Sequence, residues 1–112
     1  ISLERYKRLV KDAQARMDDL SIRNVFIRQM DGSNGLVGEG TFDRIVATVA
    51  FPDVPRFFTE QIVSGGMMIV PITREDGKVF MNLVSKTGSR IERHELFETQ
   101  YLPYETHIAR FL

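Results

Sequence analysis

The sequence contains no cysteine. That removes disulfides, thiol nucleophiles and cysteine-ligated metals, and it fits a reducing compartment, with the cytoplasm expected. Net charge is missing too. The 15 basic residues balance the 15 acidic ones, so nothing points to broad attraction to nucleic acid or an anionic membrane. No apolar stretch approaches the roughly 18 residues of a membrane span, and the start lacks a charged n-region followed by an apolar h-region. Catalytic fingerprints are also absent: there is no glycine-rich dinucleotide turn, P-loop, Gly-x-Ser-x-Gly elbow or pair of histidines at ligand spacing. His94 and His107 stand alone in a strand and tail region, so no metal site is expected. No nucleophile has a base beside it. A neutral partner or a small ligand is the expected target.

What is present is organised around Phe42 to Gly66. Ile45 to Phe51 is a run of small and apolar residues bounded by Pro52 and Pro55, which suits a strand buried on both faces in a parallel sheet. Asp53-Val54-Pro55 reads as a helix entry, with Asp53 as the cap. Phe57, Phe58 and Ile62 supply the buried side of that helix. Gly65-Gly66 is expected to close it, because glycine takes the left-handed conformation cheaply. Met67 to Ile72 then opens a second buried run. In open α/β sheets ligands bind at the carboxyl ends of such strands, so Ala50 to Pro55 is a candidate site loop.

On either side the pattern extends. Tyr6, Leu9, Val10, Ala13, Met17 and Leu20 recur at helical spacing and form one face of a helix over residues 4–20. Arg5, Lys7, Arg8 and Lys11 crowd its opening turns, as a solvated face or as partners for a phosphate or carboxylate. Val25-Phe26-Ile27 begins a strand reaching Met30, followed by a dense turn at Asp31-Gly32-Ser33-Asn34-Gly35. That turn lacks the ligand ladder of a calcium loop; a plain loop and a ligand rim both remain open. Beyond Ile72 come a turn at Glu75 to Lys78, a strand from Val79 to Val84, a hairpin turn at Lys86 to Ser89 and a longer strand from Ile91 to Leu102. The expected fold is α/β, a mostly parallel sheet with a C-terminal antiparallel hairpin.

At 112 residues the chain is one small domain, short for a doubly wound sheet with a complete nucleotide site. Ile1-Ser2-Leu3 runs straight into a charged helix without an initiator methionine, which reads as a start within a strand. Residues 1–112 are therefore expected to be a partial domain, with an exposed sheet edge through which it can self-associate.

Two acids stand out by position. Glu4 is expected just past the end of the first strand, where a carboxylate can accept both hydrogens of a ribose diol. Asp31 is expected past the end of the next, where it can accept from an exocyclic amine while Gly32 lets a ring approach the backbone. The plainer alternatives are a first-turn acid on the helix dipole for Glu4 and an Asx-turn for Asp31. Together, on neighbouring strand ends, they favour an adenosine pocket.

The order and spacing of these pieces resemble the second half of the protein-L-isoaspartate O-methyltransferases. The likeness runs from Ile-Ser-Leu-Glu-Arg at the start, through Asn24-Val25, Asp31-Gly32-Ser33, Phe42-Asp43-Arg44-Ile45, Thr48, Pro52 and Pro55. It continues through Gln61 to Gly66, Ile69-Val70-Pro71, Ile91-Glu92-Arg93 and Tyr101-Leu102-Pro103. The resemblance implies a partial Rossmann-like methyltransferase sheet and S-adenosylmethionine as cofactor. It implies that Glu4, with Arg5 beside it, holds the ribose, that Asp31 and Gly32 meet the adenine, and that Thr48, Phe51 and Pro52 lie near the methyl group and substrate. The implied substrate is an isoaspartyl-containing protein or peptide, and the implied role is protein repair by carboxyl methylation. The family's glycine-rich cofactor loop and its substrate-recognising N-terminal segment have no counterpart here, so the chain alone is expected to be inactive. Val49-Ala50-Phe51 stands where the family tends to have small residues, and Phe51 is expected to reshape the substrate cleft. A rival reading is a degenerate methyltransferase-like domain that binds a protein partner, with Phe51, Phe57 and Phe58 as anchors or simply as core.

Overall fold

A computed structural model describes residues 1–110. The chain divides into two compact units, one made of Ile1–Ser33 with the segment that begins at Glu105, the other of Asn34–Tyr104. Each is described by itself.

In the first unit, strand β1 (Ser2–Glu4) leads into helix α1 (Lys7–Asp19), and strand β2 (Ile27–Gln29) returns beside β1. The pair is parallel, with Ser2, Leu3 and Glu4 opposite Ile27, Arg28 and Gln29. Flanking bonds from Ser2 N–H to Phe26 O (2.8 Å) and from Met30 N–H to Glu4 O (3.0 Å) extend the ladder at both ends. Tyr6 is the N-cap of α1, without a side-chain cap bond. The helix ends in a Schellman motif, Ser21 N–H to Asp18 O and Ile22 N–H to Met17 O, with Ser21 at φ 56° where glycine is usual. Of the expected apolar face, Tyr6, Val10, Ala13 and Met17 are half-buried, whereas Leu9 and Leu20 are exposed.

In the second unit, strands β3 (Phe42–Val46), β4 (Ile62–Thr73), β5 (Val79–Thr87) and β6 (Arg90–Thr99) form one sheet in that order, with helix α2 (Arg56–Gln61) between β3 and β4. β3 pairs parallel with β4, while β4–β5 and β5–β6 are antiparallel. The expected passage from parallel pairing to a C-terminal antiparallel hairpin is what the chain forms. The hairpin closes through Gly88-Ser89 between the partners Thr87 and Arg90, with Gly88 at φ 60°. Ala47, Phe51, Ile62, Met68, Val70, Ile72 and Val84 make the core, with Ile45, Val49, Val54 and Phe58 packed against it.

Three local expectations are corrected. The run from Ile45 to Phe51 is not a strand buried on both faces: the strand is Phe42–Val46, first in the sheet order, with Asp43, Arg44 and Val46 exposed. Gly65-Gly66 does not close α2: the helix stops at Gln61, and both glycines lie inside β4. The cause is the register shift between Phe42 and Arg44, where β4 bulges against β3. Gly65 takes φ 86°, and a Cβ on Gly66 would lie 2.5 Å from Ile62 Cγ1 and 2.8 Å from Val63 O. Asp53 does not cap α2 either. Pro55 is the N-cap, and Asp53 Oδ1 instead accepts its neighbour Val54 N–H and pairs with Arg93 at 3.1 Å.

One buried polar group stands out. Asn82 is almost fully buried between Val70 and Glu95 on the adjacent strands. Its Nδ2 donates to Phe80 O, while its Oδ1 has no partner among the described residues. An orphaned acceptor carries a desolvation cost without a compensating bond. Asn82→Leu is therefore expected to leave the denaturation midpoint unchanged or raise it, whereas Met68→Ala is expected to cost about 2–5 kcal/mol. Chemical denaturation followed by circular dichroism measures both.

Candidate functional site

The parallel pairing of β1 and β2 brings their carboxyl ends to one edge, so Glu4 and the residues after Gln29 are neighbours across a strand spacing of about 4.8 Å. Glu4 is the last residue of β1 rather than a helical residue, and its Oε1 accepts the Tyr6 N–H at 3.1 Å. Arg5 follows in the turn to α1. Its carbonyl accepts from Gln29 Nε2 (3.1 Å) and from Ala109 N–H (3.0 Å). Its guanidinium is directed at the C-terminal segment, with Nε to His107 O at 2.6 Å and Nη1 to Glu105 Oε2 at 3.0 Å.

Asp31 follows β2 and opens a 3-10 turn at Gly32–Asn34. Its Oδ1 accepts from Ser33 N–H at 2.9 Å and Ser33 Oγ at 2.7 Å, and its Oδ2 accepts from His107 N–H at 2.8 Å. Burial is the largest single influence on this carboxyl and pushes its pKa up. The Ser33 hydroxyl and backbone, the His107 backbone and the charge of the His107 ring together outweigh it and hold the pKa below its ordinary value. Gly32 packs closely beneath, since a Cβ there would stand 3.2 Å from Leu3 Cδ1. The Asx-turn and the acceptor role are thus compatible. A carboxylate offers about four acceptor sites; Asp31 accepts three of these bonds and Glu4 one.

The second set of candidates lies in the other unit. After β3 the chain bonds on both sides: Ala47 N–H to Ile69 O, Phe51 N–H to Pro71 O and Thr73 N–H to Phe51 O on one, Ala50 N–H to Leu102 O and Tyr104 N–H to Ala50 O on the other. Side chains then divide by direction. Ala47, Ala50 and Phe51 are buried, while Thr48 and Pro52 are exposed. Phe51 is only 5 % exposed. Its ring stacks on Tyr104 (4.8 Å between centroids) and meets Phe58 edge-on (5.6 Å). Phe51 therefore supports the loop from within, and neither it nor Phe58 is a surface anchor; of the three phenylalanines only Phe57 is exposed, at 42 %.

A model of the protein-L-isoaspartate(D-aspartate) O-methyltransferase family matches residues 1–108. The chain belongs to this family. Among relatives, it is 45 % identical to a protein-L-isoaspartate O-methyltransferase of Rhizobium meliloti, over all of this chain and 55 % of that protein. It is 37 % identical to one of Parvibaculum lavamentivorans, over 97 % of this chain and 50 % of that one. The chain thus spans about half the length of these curated relatives. A solved protein-L-isoaspartate O-methyltransferase superposes with a TM-score of 0.84 at 26 % identity, covering 93 % of this chain and 33 % of that one. A Plasmodium falciparum protein described by the same activity, solved with S-adenosyl-L-homocysteine, gives 0.79 at 23 % identity, covering 92 % and 50 %.

Within this chain, the residues expected at the nucleoside, Glu4, Arg5, Asp31 and Gly32, fall in one unit, and Thr48, Phe51 and Pro52 fall in the other. Ser33 and His107 were not singled out for this site, yet both hold Asp31. For Ser33 the signal was the Asp-x-Ser spacing of an Asx-turn. For His107 none was available, because its contact is made by the backbone.

The Asp31 shift has a sign that can be tested. A carboxyl whose folded pKa lies below its unfolded value stabilises the fold above the unfolded pKa, near 4, and loses that contribution as pH falls through the folded value. Asp31→Asn is expected to lower stability at neutral pH by an amount that shrinks below about pH 4. Urea denaturation of both proteins across pH 2.5 to 7 measures the difference.

Proposed function

We propose that the full-length gene product transfers a methyl group from S-adenosylmethionine to the carboxylate of an isoaspartyl residue in a protein or peptide. The observation that carries this reading is the pair of carboxylates, Glu4 and Asp31, at the ends of adjacent parallel strands in a chain of this family. These acceptors suit a nucleoside. Glu4 accepts from the ribose diol, and Asp31, held ionised and oriented by Ser33 and His107, accepts from the exocyclic amine of adenine. The bound cofactor supplies a sulfonium methyl as the electrophile.

The acceptor carboxylate has an ordinary pKa of about 4 and is already ionised at neutral pH. No general base is needed to make it a nucleophile. The residues' work is to position and to shield from water. In this reading Thr48 and Pro52, exposed on the loop after β3, face the substrate, and Phe51 fixes their loop from the core. Action in the cytoplasm belongs to the same reading and is supported by the lack of cysteine. Among the described residues no helix is long and apolar enough to cross a membrane.

The direct test is methyl transfer by the full-length gene product to an isoaspartyl peptide and to its aspartyl twin. Incorporation into the first alone is expected. Silence on both with S-adenosylhomocysteine still bound would assign another substrate, and failure to bind it would overturn the reading. Glu4→Ala and Asp31→Ala are each expected to weaken S-adenosylhomocysteine binding by about tenfold or more, beyond their effect on the melting temperature.

A further inference from the structure

The C-terminal segment meets the strand-end site through a connected set of bonds. His107 lies at φ 67°, in the left-handed region that a non-glycine residue seldom adopts. In that conformation its N–H reaches Asp31 Oδ2 at 2.8 Å and its carbonyl receives Arg5 Nε at 2.6 Å. Glu105 Oε2 takes the other arm of the same guanidinium at 3.0 Å, and Ala109 N–H bonds the Arg5 carbonyl at 3.0 Å. That carbonyl also receives Gln29 Nε2, from the last residue of β2. Arg5 therefore joins the ends of both strands to the segment, and its fork, a rigid planar donor, is spent on holding it. The Arg5 side chain is largely covered. Its placement beside Glu4 made it a candidate ligand contact, but its donors point at the tail.

A carboxylate that recognises an amine hydrogen must be held at a fixed angle, since hydrogen bonds weaken steeply when misaligned. Ser33 fixes Oδ1 from within the turn. Oδ2, the oxygen that the turn leaves unrestrained, is fixed by His107 from outside it.

We propose that Glu105 to Ala109 is a positioning strap for nucleoside recognition: Arg5 ties it down, and the His107 backbone N–H sets the orientation in which Asp31 meets the adenine amine. The inference rests on the reading that Asp31 accepts from adenine. Arg5 and His107 are positioning residues in this account, acting through Asp31.

The test uses the full-length gene product and S-adenosylhomocysteine as the calorimetric probe. Asp31→Ala reports on the site itself. Ending the chain after Tyr104, Arg5→Lys (charge kept, fork lost) and His107→Pro (no N–H, and a φ confined near −65°) report on the strap. His107→Gly keeps the N–H and accepts the left-handed backbone. The three strap variants are expected to raise the probe's Kd about tenfold, as for one bond to a charged group; His107→Gly is expected to retain wild-type affinity. The KM for the methyl donor should rise in proportion while kcat and the KM for the peptide hold. Wild-type affinity in the strap variants, alongside loss in Asp31→Ala, would overturn the strap and leave the site reading intact. Wild-type affinity in Asp31→Ala would overturn the site reading and the strap with it. A parallel fall in kcat across the strap variants would also overturn it, since a general loss of structure would then be the cause. If the shortened chain does not fold, the His107 pair and Arg5→Lys carry the test.

Discussion

The parallel register of β1 and β2 is the constraint on which the nucleoside reading depends. Parallel strands present their carboxyl ends together, and the one-to-one pairing of Ser2, Leu3 and Glu4 with Ile27, Arg28 and Gln29 leaves Glu4 terminal on one strand and Asp31 just beyond the other. A slip of a single residue would turn each side chain to the opposite face. The turn after β2 also sits close to β1, since a Cβ on Gly32 would stand 3.2 Å from Leu3 Cδ1. The two acids are thus placed by backbone geometry, and their hydrogen bonds refine what the strands have set.

The second unit shows the same division between a rigid frame and an outward-facing residue. β4 is its spine: it pairs with β3 on one side and β5 on the other, and bonds the Phe51 backbone beyond the end of β3. Thr48 and Pro52 are presented outward because Ala47, Ala50 and Phe51 are drawn inward. Phe51, by its size a natural candidate for a surface role, is needed where it lies, between Tyr104 and Phe58. Upstream, the side-chain amide of Gln61 bonds both the N–H and the carbonyl of Leu36, fastening the glycine-rich loop to the end of α2. Gly35 lies at φ 72°, and a Cβ there would stand 2.3 Å from Gln61 Oε1, so a side chain would be strained and would displace the Gln61 amide.

What could be read from the sequence was what depends on local periodicity and strong turn signals. Helix α1, the turn around Gly77 and the hairpin at Gly88 each rest on a pattern within a dozen residues and form within a few residues of where expected, whereas the strand expected from Met67 begins five residues earlier, at Ile62. Gly65-Gly66 misled because glycine after a helical stretch signals a C-cap, whereas here a bulged parallel ladder needs it. Asp53 misled in the same way: its side chain is satisfied by Val54 and by Arg93, a residue on a distant strand. Contacts across long sequence separations leave no local trace. The hold of His107 on Asp31 spans 76 positions and uses a backbone N–H, so no side-chain pattern could announce it. The placement of Glu4 and Asp31 at neighbouring strand ends was legible because it follows from the local strand pattern, and the groups that hold Asp31 in place were less so, because His107 comes from the tertiary fold.

The most direct measurement is a crystal structure of the full-length gene product with S-adenosylhomocysteine. The account predicts the adenine amine within hydrogen-bonding distance of Asp31, about 2.7–3.2 Å, and the ribose hydroxyls on Glu4. A nucleoside bound elsewhere, with the carboxyl ends of β1 and β2 still closed to it, would contradict the account.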